Sequence, residues 1–295
     1  MEQNVGKFEA WYEKRYKILF IIPVILLLIS VVYLVNFNSK HSEIIYKDSS
    51  LAGGTTLTLT SADISSENLE NALKEFFPDV SVREIKDLTS GRLIALIIDS
   101  TAEPETIKQK TQEIVGFELT EENSSLEFTG SSLSDDFYNQ LIIAILISFL
   151  LISIVVFFLF KKVVRSVAIV IAVFGNIVMP LALIDYLEIK LSAAGIAAFL
   201  MLIGYSVDTD ILLTSRVLKR TSGSINEKIF SAFKTGMFIT GTALFALLPA
   251  FFIVTGLPDS FRQIFLILSL GLVADMINTW LLNAAILKWY EERKK

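Results

Sequence analysis

Apolar residues dominate most of this chain, and a polar segment of about 100 residues interrupts them after the first apolar run. A helix needs roughly 20 apolar residues to cross the hydrocarbon core of a bilayer. Six stretches reach that length with few charges inside them. They predict spans one to six at residues 18–35, 141–160, 163–184, 191–214, 235–256 and 261–287. The pattern therefore predicts a membrane bundle of six helices with one hydrophilic insertion after span one.

The insertion at residues 38–137 alternates short apolar strands with amphipathic helices. The pattern predicts strands at 52–60, 80–85, 93–98 and 126–129, and helices at 65–77 and 104–115. The order β-α-β-β-α-β is that of ferredoxin-like α+β domains. Gly53 and Gly54 open the first strand, and we interpret them as a bend or bulge of the backbone rather than a phosphate-binding loop.

The amino-acid composition further restricts the class of protein to which the chain can belong. The chain is 53% apolar with a mean hydropathy of +0.59, which is more apolar than a usual soluble domain. Residues 38–137 hold 19 of the 31 acidic residues, so the net charge of −5 arises in that segment and argues against nucleic-acid binding. The chain has no Cys and one His, which excludes disulfides, thiolate metal sites and zinc sites with several imidazoles. We expect no cofactor and no metal.

The distribution of Lys and Arg predicts the orientation in the cell membrane. Sixteen of them lie in the N-terminal segment, in the loops after spans two and four, and in the tail. The two short loops on the other side hold only Lys190 and Arg262. Both termini are therefore expected in the cytoplasm, and span one is interpreted as a retained signal anchor. The predicted parts are a cytoplasmic N-terminus, the first span, an extracytoplasmic domain, spans two to six and a cytoplasmic tail, at residues 1–17, 18–37, 38–137, 138–290 and 291–295.

Three acidic residues lie within predicted spans, where an ionised side chain costs roughly 3 kcal/mol. They are Asp208 and Asp210 in span four and Asp275 in span six. Asp208 and Asp210 are about 200° apart around a helix, so they cannot share one face. One is expected to point into the bundle, and the other to meet a basic residue or a partner chain. Lys234 would approach Asp210 if the helix of span five begins a turn early, at Ile229.

Buried acids beside a basic group can bind and release protons, which is the chemistry of proton-driven transporters. The same residues could instead form a static ion pair that locks the bundle. For Asp275 the alternative is hydrogen bonding to neighbours, because Asn278 and Asn283 follow it. Small residues in spans four and five, among them Gly204 and Gly241, allow close helix packing within the chain or against a partner.

Four short motifs stand in a specific order. GYSVDTDILL at 204–213 contains Tyr205 and Ser206, SINE at 224–227 contains Asn226, and TGTAL at 240–244 contains Gly241. With Gly53 and Gly54 after span one, they resemble the SecF members of the SecD/SecF family of protein-export membrane proteins. The corresponding family stretches read approximately YSxND, SINQ and SGTTL. The resemblance covers nearly the whole chain, and its Asp-x-Asp form is more similar to archaeal than to bacterial members.

The resemblance implies half of an RND-like transporter, which pairs with a SecD-like membrane subunit in the lipid bilayer. It implies help with the translocation of exported protein substrates at a SecYEG-type translocon, driven by the proton gradient and without enzymatic activity. The family's acid aligns with Thr209, between Asp208 and Asp210, and its basic residue falls near Thr235, beside Lys234. The register leaves open which aspartate is functional and whether Lys234 replaces the usual arginine.

Three other functions are compatible with parts of the sequence. The first is half of an RND-type exporter of small molecules or lipids, and the second is a structural translocon subunit that moves no protons. The third is an intramembrane aspartyl protease that pairs Asp208 with Asp275. The third lacks the Tyr-Asp and Gly-x-Gly-Asp patterns of such enzymes. A unit of only six spans needs a partner, which favours the SecD arrangement over the exporter.

Overall fold

The structure is a computed structural model that describes residues 2–41, 43–60, 65–86, 90–219, 223–253 and 259–293. The helices are α1 (Glu2–His41), α2 (Ser49–Ala52), α3 (Ser66–Lys74), α4 (Pro104–Val115), α5 (Ser131–Phe160), α6 (Val163–Tyr186), α7 (Ala193–Lys219), α8 (Ile225–Ile253), α9 (Asp259–Ile277) and α10 (Ala284–Glu292). A π-helical segment, Asn278–Asn283, joins α9 to α10. The strands are β1 (Gly54–Thr60), β2 (Ser81–Lys86), β3 (Leu93–Ser100) and β4 (Ser124–Thr129).

Six helical stretches among the described residues are long and apolar enough to cross a membrane, as the sequence predicts. Spans one to five correspond to α1, α5, α6, α7 and α8, and span six runs from α9 through the π-helical segment into α10. The predicted end of span five at residue 256, and residues 294 and 295 of the predicted tail, lie outside the described residues. Spans three, four and six form the buried centre of the bundle, while spans one, two and five are mostly exposed.

Span five begins at Ile225, well before the predicted position 235. A reciprocal cap explains the early start. The Glu227 amide donates to Ser224 Oγ at 3.0 Å, and the Ser224 amide donates to Glu227 Oε2 at 3.2 Å. This arrangement satisfies two amides that a helix start otherwise leaves without acceptors. Lys234 therefore lies inside the helix rather than before it.

The polar insertion forms a four-stranded antiparallel sheet with the strand order β2-β3-β1-β4. Along the chain, α3 lies between β1 and β2, and α4 lies between β3 and β4. Apolar side chains of the sheet and the two helices share one core, in which Leu57, Leu69, Leu96, Ile98 and Ile107 are fully buried. Burying each of these side chains stabilises the fold by about 1.5–3 kcal/mol.

Gly53 and Gly54 act as the predicted backbone device. Their φ angles are +81° and +134°, which side chains other than glycine rarely adopt. A Cβ atom on Gly54 would also collide with the carbonyl oxygen of Ser100 on the neighbouring strand. The two glycines therefore let the chain turn sharply into β1 while β1 stays paired with β3.

The segment between span one and β1 docks on the ends of the membrane helices. Asp185 of span three accepts a hydrogen bond from the Tyr46 amide at 2.8 Å and from the Tyr33 hydroxyl at 3.0 Å. The Leu191 amide donates to the Tyr46 carbonyl at 2.7 Å, and Leu51 is fully buried in the cluster of membrane helices. These contacts fix the sheet domain to the ends of spans three and four.

Candidate functional site

Two carboxylates meet in the centre of the bundle. Asp210 of span four is 0% exposed, and Asp275 of span six is 1% exposed. The hydroxyl of Thr279 lies 2.9 Å from Asp210 Oδ1 and 3.2 Å from Asp275 Oδ1. The structure therefore brings together two of the three intramembrane acids that the sequence singles out.

Asp275 is surrounded by donors from spans three and four. Asn176 Nδ2 and Ser206 Oγ each donate to its Oδ1 at 2.9 Å. Thr209 Oγ1 lies 2.9 Å from its Oδ2 and also 2.9 Å from the Ser206 carbonyl. Asn176 Nδ2 reaches Ser206 Oγ as well, at 2.5 Å. Both oxygens of this carboxylate therefore have partners, and these come from three different helices.

Asp210 has fewer hydrogen-bond donors around it than Asp275 has. Asn283 Nδ2 donates to Asp210 Oδ1 at 2.7 Å, beside the contact from Thr279. Asp210 Oδ2 is buried and has no hydrogen-bond partner among the described residues. A buried carboxylate oxygen without a partner is costly while the group is ionised, and more costly than a hydroxyl in the same position.

The π-helical segment supplies the donors of span six. Thr279 and Asn283 both lie in it and both reach Asp210. Asn278, its first residue, donates to Asn176 Oδ1 at 2.7 Å and so orients the amide that faces Asp275. A Cβ on Gly175 would come within 2.8 Å of the Asn278 amide, so the close approach of spans three and six needs glycine there.

Among the described residues, the two acids of this site have no basic partner. Within the described part of the chain, no Lys or Arg side chain contacts Asp210 or Asp275. Lys234 is exposed and lies over the Phe230 ring at 5.2 Å, so the expected approach of Lys234 to Asp210 is not seen. Span five does begin early, as that approach requires, but Lys234 lies on the exposed side of the helix, away from the pair.

Asp208 is exposed on the outside of span four. The helical arithmetic that separates it from Asp210 is correct, and Asp210 is the residue that points inward. A protease would need Asp208 to pair with Asp275, and this pair is not formed. Asp208 lies on the exposed side of span four, whereas Asp275 of span six is buried against the opposite side. Tyr205 is also exposed, at 44%, whereas Ser206 lies in the Asp275 shell.

The remaining motif residues lie elsewhere. Gly241 of span five has open space where a Cβ would stand. Asn226, near the start of span five, belongs to a second polar cluster around Lys288, whose side chain is fully buried. Lys288 Nζ donates to Glu13 Oε2 at 2.5 Å and to Asn226 Oδ1 at 2.6 Å, and Asn226 Nδ2 donates to Glu13 at 2.8 Å. Asn226 therefore joins spans one, five and six.

Sequence reasoning missed two parts of these sites. It counted Lys288 among the basic residues of the tail, although it is buried. It noted the asparagines of span six but gave no role to Thr209 or Thr279. The spacing of Asp275, Thr279 and Asn283 at four-residue intervals was the available signal, because such residues share a helix face. In the described ranges no group of three or more His, Asp or Glu side chains is placed to hold a metal ion.

Comparison with known proteins gives a consistent result. Residues 107–293 match the family described as protein export membrane protein SecD/SecF, C-terminal. The protein-export membrane protein SecF of Methanocaldococcus jannaschii is 38% identical, over 94% of this chain and 96% of the relative. SecF of Methanolacinia petrolearia is 34% identical, over 98% of this chain and 99% of the relative.

A solved structure shares the fold. The crystal structure of SecDF from Thermus thermophilus, described as a translocon-associated membrane protein, matches with a TM-score of 0.76 at 16% identity. The match covers 96% of this chain and 38% of the SecDF chain, so this chain spans well under half of that protein. The family match and the nearly full-length relatives together show that the chain belongs to the SecD/SecF family of protein-export membrane proteins.

Proposed function

We propose that the chain is an accessory subunit of the Sec protein-export machinery that couples translocation across the cell membrane to the proton gradient through Asp210 and Asp275. Membership of the SecD/SecF family supports the export role. The observation that carries the coupling is the pair of buried carboxylates joined by one hydroxyl. The pair lies between the central helices, where a change of charge alters helix packing.

The charge balance of the pair supports proton exchange. Two carboxylates that share a desolvated site repel each other, and no described Lys or Arg side chain contacts them. A proton on either carboxylate removes one of the two charges. Its release forces the polar side chains of spans three, four and six to rearrange around the new charge. Proton uptake and release would therefore be tied to the packing of those spans.

A purely structural role is the competing function. It is favoured by the full hydrogen bonding of Asp275, which is typical of a static lock. Asp210 argues against it, because its buried Oδ2 has no partner among the described residues. A lock would be more stable with that oxygen satisfied or with an apolar residue in its place.

The outer face of spans four and five supports pairing with a SecD-like subunit. Asp208 and Lys234 are exposed there, and a charge that faces lipid is costly. Span five is the least apolar of the six spans yet mostly exposed, whereas spans one and two, which are more exposed still, are the most apolar. Gly204 and Gly241 leave room for the close approach of another helix. Asp208 and Lys234 would then meet groups of the partner.

The same proposal fixes the orientation and the parts of the chain. Both termini would lie in the cytoplasm, by the bias of Lys and Arg. Residues 1–17 would be the cytoplasmic N-terminus, 18–37 the first span, 38–137 an extracytoplasmic domain, 138–290 the other spans and 291–295 the tail. The observed strand order supports a ferredoxin-like class for the domain. The bundle would be half of an RND-like unit that SecD completes.

Exported proteins and a SecYEG-type translocon would be the working partners, and the chain would act in transport rather than as an enzyme. The test is the rate of protein export in oriented vesicles that contain the chain, its SecD-like subunit and the translocon, with and without an imposed proton gradient. Asp210→Asn and Asp275→Asn are expected to remove most of the stimulation by the gradient while the complex still copurifies. Full stimulation in the double variant would leave the structural role as the function.

A matched control keeps this test specific. Thr240 is buried in span five, and its hydroxyl has no partner among the described residues. Thr240→Val removes a polar group from the same bundle without touching the pair, so export should respond to the gradient as in wild type. Asp208→Asn separates the two proposed roles, since it should weaken copurification with the SecD-like subunit.

A further inference from the structure

Thr279 is the side chain that contacts both aspartates of the buried pair. Its hydroxyl is 2.9 Å from Asp210 Oδ1 and 3.2 Å from Asp275 Oδ1, and the residue is fully buried. A hydroxyl has one hydrogen and two lone pairs, so it donates to one carboxylate at a time and can accept from the other when that group carries a proton. The Thr279 hydroxyl oxygen therefore lies within hydrogen-bond distance of both carboxyl groups.

We propose that the Thr279 hydroxyl passes the proton between Asp275 and Asp210. When Asp275 holds the proton, its O–H donates to Thr279 Oγ1, and the Thr279 hydrogen is directed at Asp210 Oδ1. Transfer breaks the O–H bonds of Asp275 and Thr279 and forms new ones at Thr279 Oγ1 and Asp210 Oδ1. The net charge of the site is unchanged, and no side chain has to travel. This inference rests on the proposed proton coupling and names the group that performs the step.

The surroundings hold both ends of the transfer in place. Asn283 donates to Asp210 Oδ1 at 2.7 Å, and Thr209 lies 2.9 Å from Asp275 Oδ2. The carboxylate left on Asp275 after transfer is therefore still met by donors, including those from spans three and four.

In the part of the chain that the structure describes, the titratable groups that contact Thr279 are Asp275 on its own span and Asp210 on span four. Among the described residues, span three faces the pair with the amide of Asn176, and Lys234 of span five points outward. The transfer therefore involves these two acids and no described cation.

The π-helical backbone around Thr279 favours its contact with Asp210. Thr279 lies in the π-helical segment Asn278–Asn283. Single π turns inside helices are rare, and those that occur are often found at functional sites. The wider turn brings Thr279 and Asn283, which are four residues apart, onto the same carboxylate. Trp280 in the same segment packs where a Cβ on Gly236 would stand, so span five holds the segment in position.

The test compares Thr279→Val, which keeps the shape and removes the hydroxyl, with Thr279→Ser, which keeps the hydroxyl. The readout is gradient-driven export by the complex with the SecD-like subunit across a range of pH. The valine variant is expected to lose about tenfold in rate, the value of one hydrogen bond to a charged group, and its pH midpoint should move by about one unit. The serine variant should keep the wild-type midpoint and most of the rate.

Thr240→Val is the matched control and should behave as wild type. If Thr279→Val fails to assemble, Thr279→Ala against Thr279→Ser repeats the comparison in a smaller side chain. A wild-type rate and pH profile in the variant without the hydroxyl would overturn the inference. If Asp210→Asn and Asp275→Asn abolish the response to the gradient while Thr279→Val does not, the proposed function stands and only the role of Thr279 is wrong.

Discussion

Lys288 is buried, and replacing it should cost less unfolding free energy than replacing the side chains that contact it. Its Nζ donates to Glu13 Oε2 at 2.5 Å and to Asn226 Oδ1 at 2.6 Å, and it pairs with Glu292 Oε1 at 2.9 Å. The Lys288 side chain is 0% exposed, whereas those of Glu13 and Glu292 are 53% and 38% exposed. The ammonium depends on its neighbours, while both carboxylates retain contact with solvent.

The two kinds of substitution should therefore differ in cost. Lys288→Met removes the charge and leaves two carboxylates that are already solvated, which should cost about 1–2 kcal/mol of unfolding free energy. The double variant Glu13→Ala, Asn226→Leu instead leaves the buried ammonium with Glu292 alone of these three oxygen partners, which should cost about 3–5 kcal/mol. Adding Lys288→Met to the double variant removes that stranded charge and should recover about 2 kcal/mol.

The assay is denaturant unfolding of the purified chain in mild detergent, followed by the helical circular dichroism signal. Lys14→Met is the matched control, because Lys14 is exposed on the helix that carries Glu13 and its loss should change stability by less than about 0.5 kcal/mol. The reasoning is refuted if Lys288→Met costs as much as the double variant, or if the triple variant is no more stable than the double.

Three further predictions use the same unfolding measurement. Gly54→Ala should cost about 2–3 kcal/mol, because its φ of +134° and the nearby carbonyl leave no room for a Cβ. Gly236→Ala should destabilise through collision with Trp280, whereas Gly241→Ala on the same helix should be nearly neutral. Burial raises the pKa of the Asp48 carboxyl to about 6. The stability that Asp48 contributes is therefore present below about pH 4 and lost as the pH rises through 6, and Asp48→Asn should add about 2 kcal/mol at neutral pH.

The membrane spans were predictable because a bilayer demands long apolar runs, and those runs are plain in the sequence. The start of span five was not. Ser224 and Glu227 form a cap that extends the helix through a polar stretch, which hydropathy reads as a loop. The correction matters for function, since it moves Lys234 from the edge of a loop to the outer face of a helix.

The candidate site was predictable only in part. Helical spacing showed that Asp208 and Asp210 face different ways, but the choice between them depends on the packing of spans four and six, which no local pattern contains. The four-residue spacing of Asp275, Thr279 and Asn283 places them on one helix face, but it reveals neither the π-helical turn at Asn278–Asn283 nor the carboxylate of span four that this face meets. Lys288 was misjudged because a charge near the end of a span usually faces water.

The central claim is that Asp210 and Asp275 take up and release a proton within the membrane. The most direct measurement is the infrared difference spectrum of the purified complex between acidic and alkaline pH, in which a protonated carboxyl shows its own carbonyl band. We expect a band that Asp210→Asn and Asp275→Asn each alter and that the double variant removes, while Asp208→Asn leaves it in place. A band that persists unchanged in the double variant, or a wild-type spectrum without one, would contradict the claim.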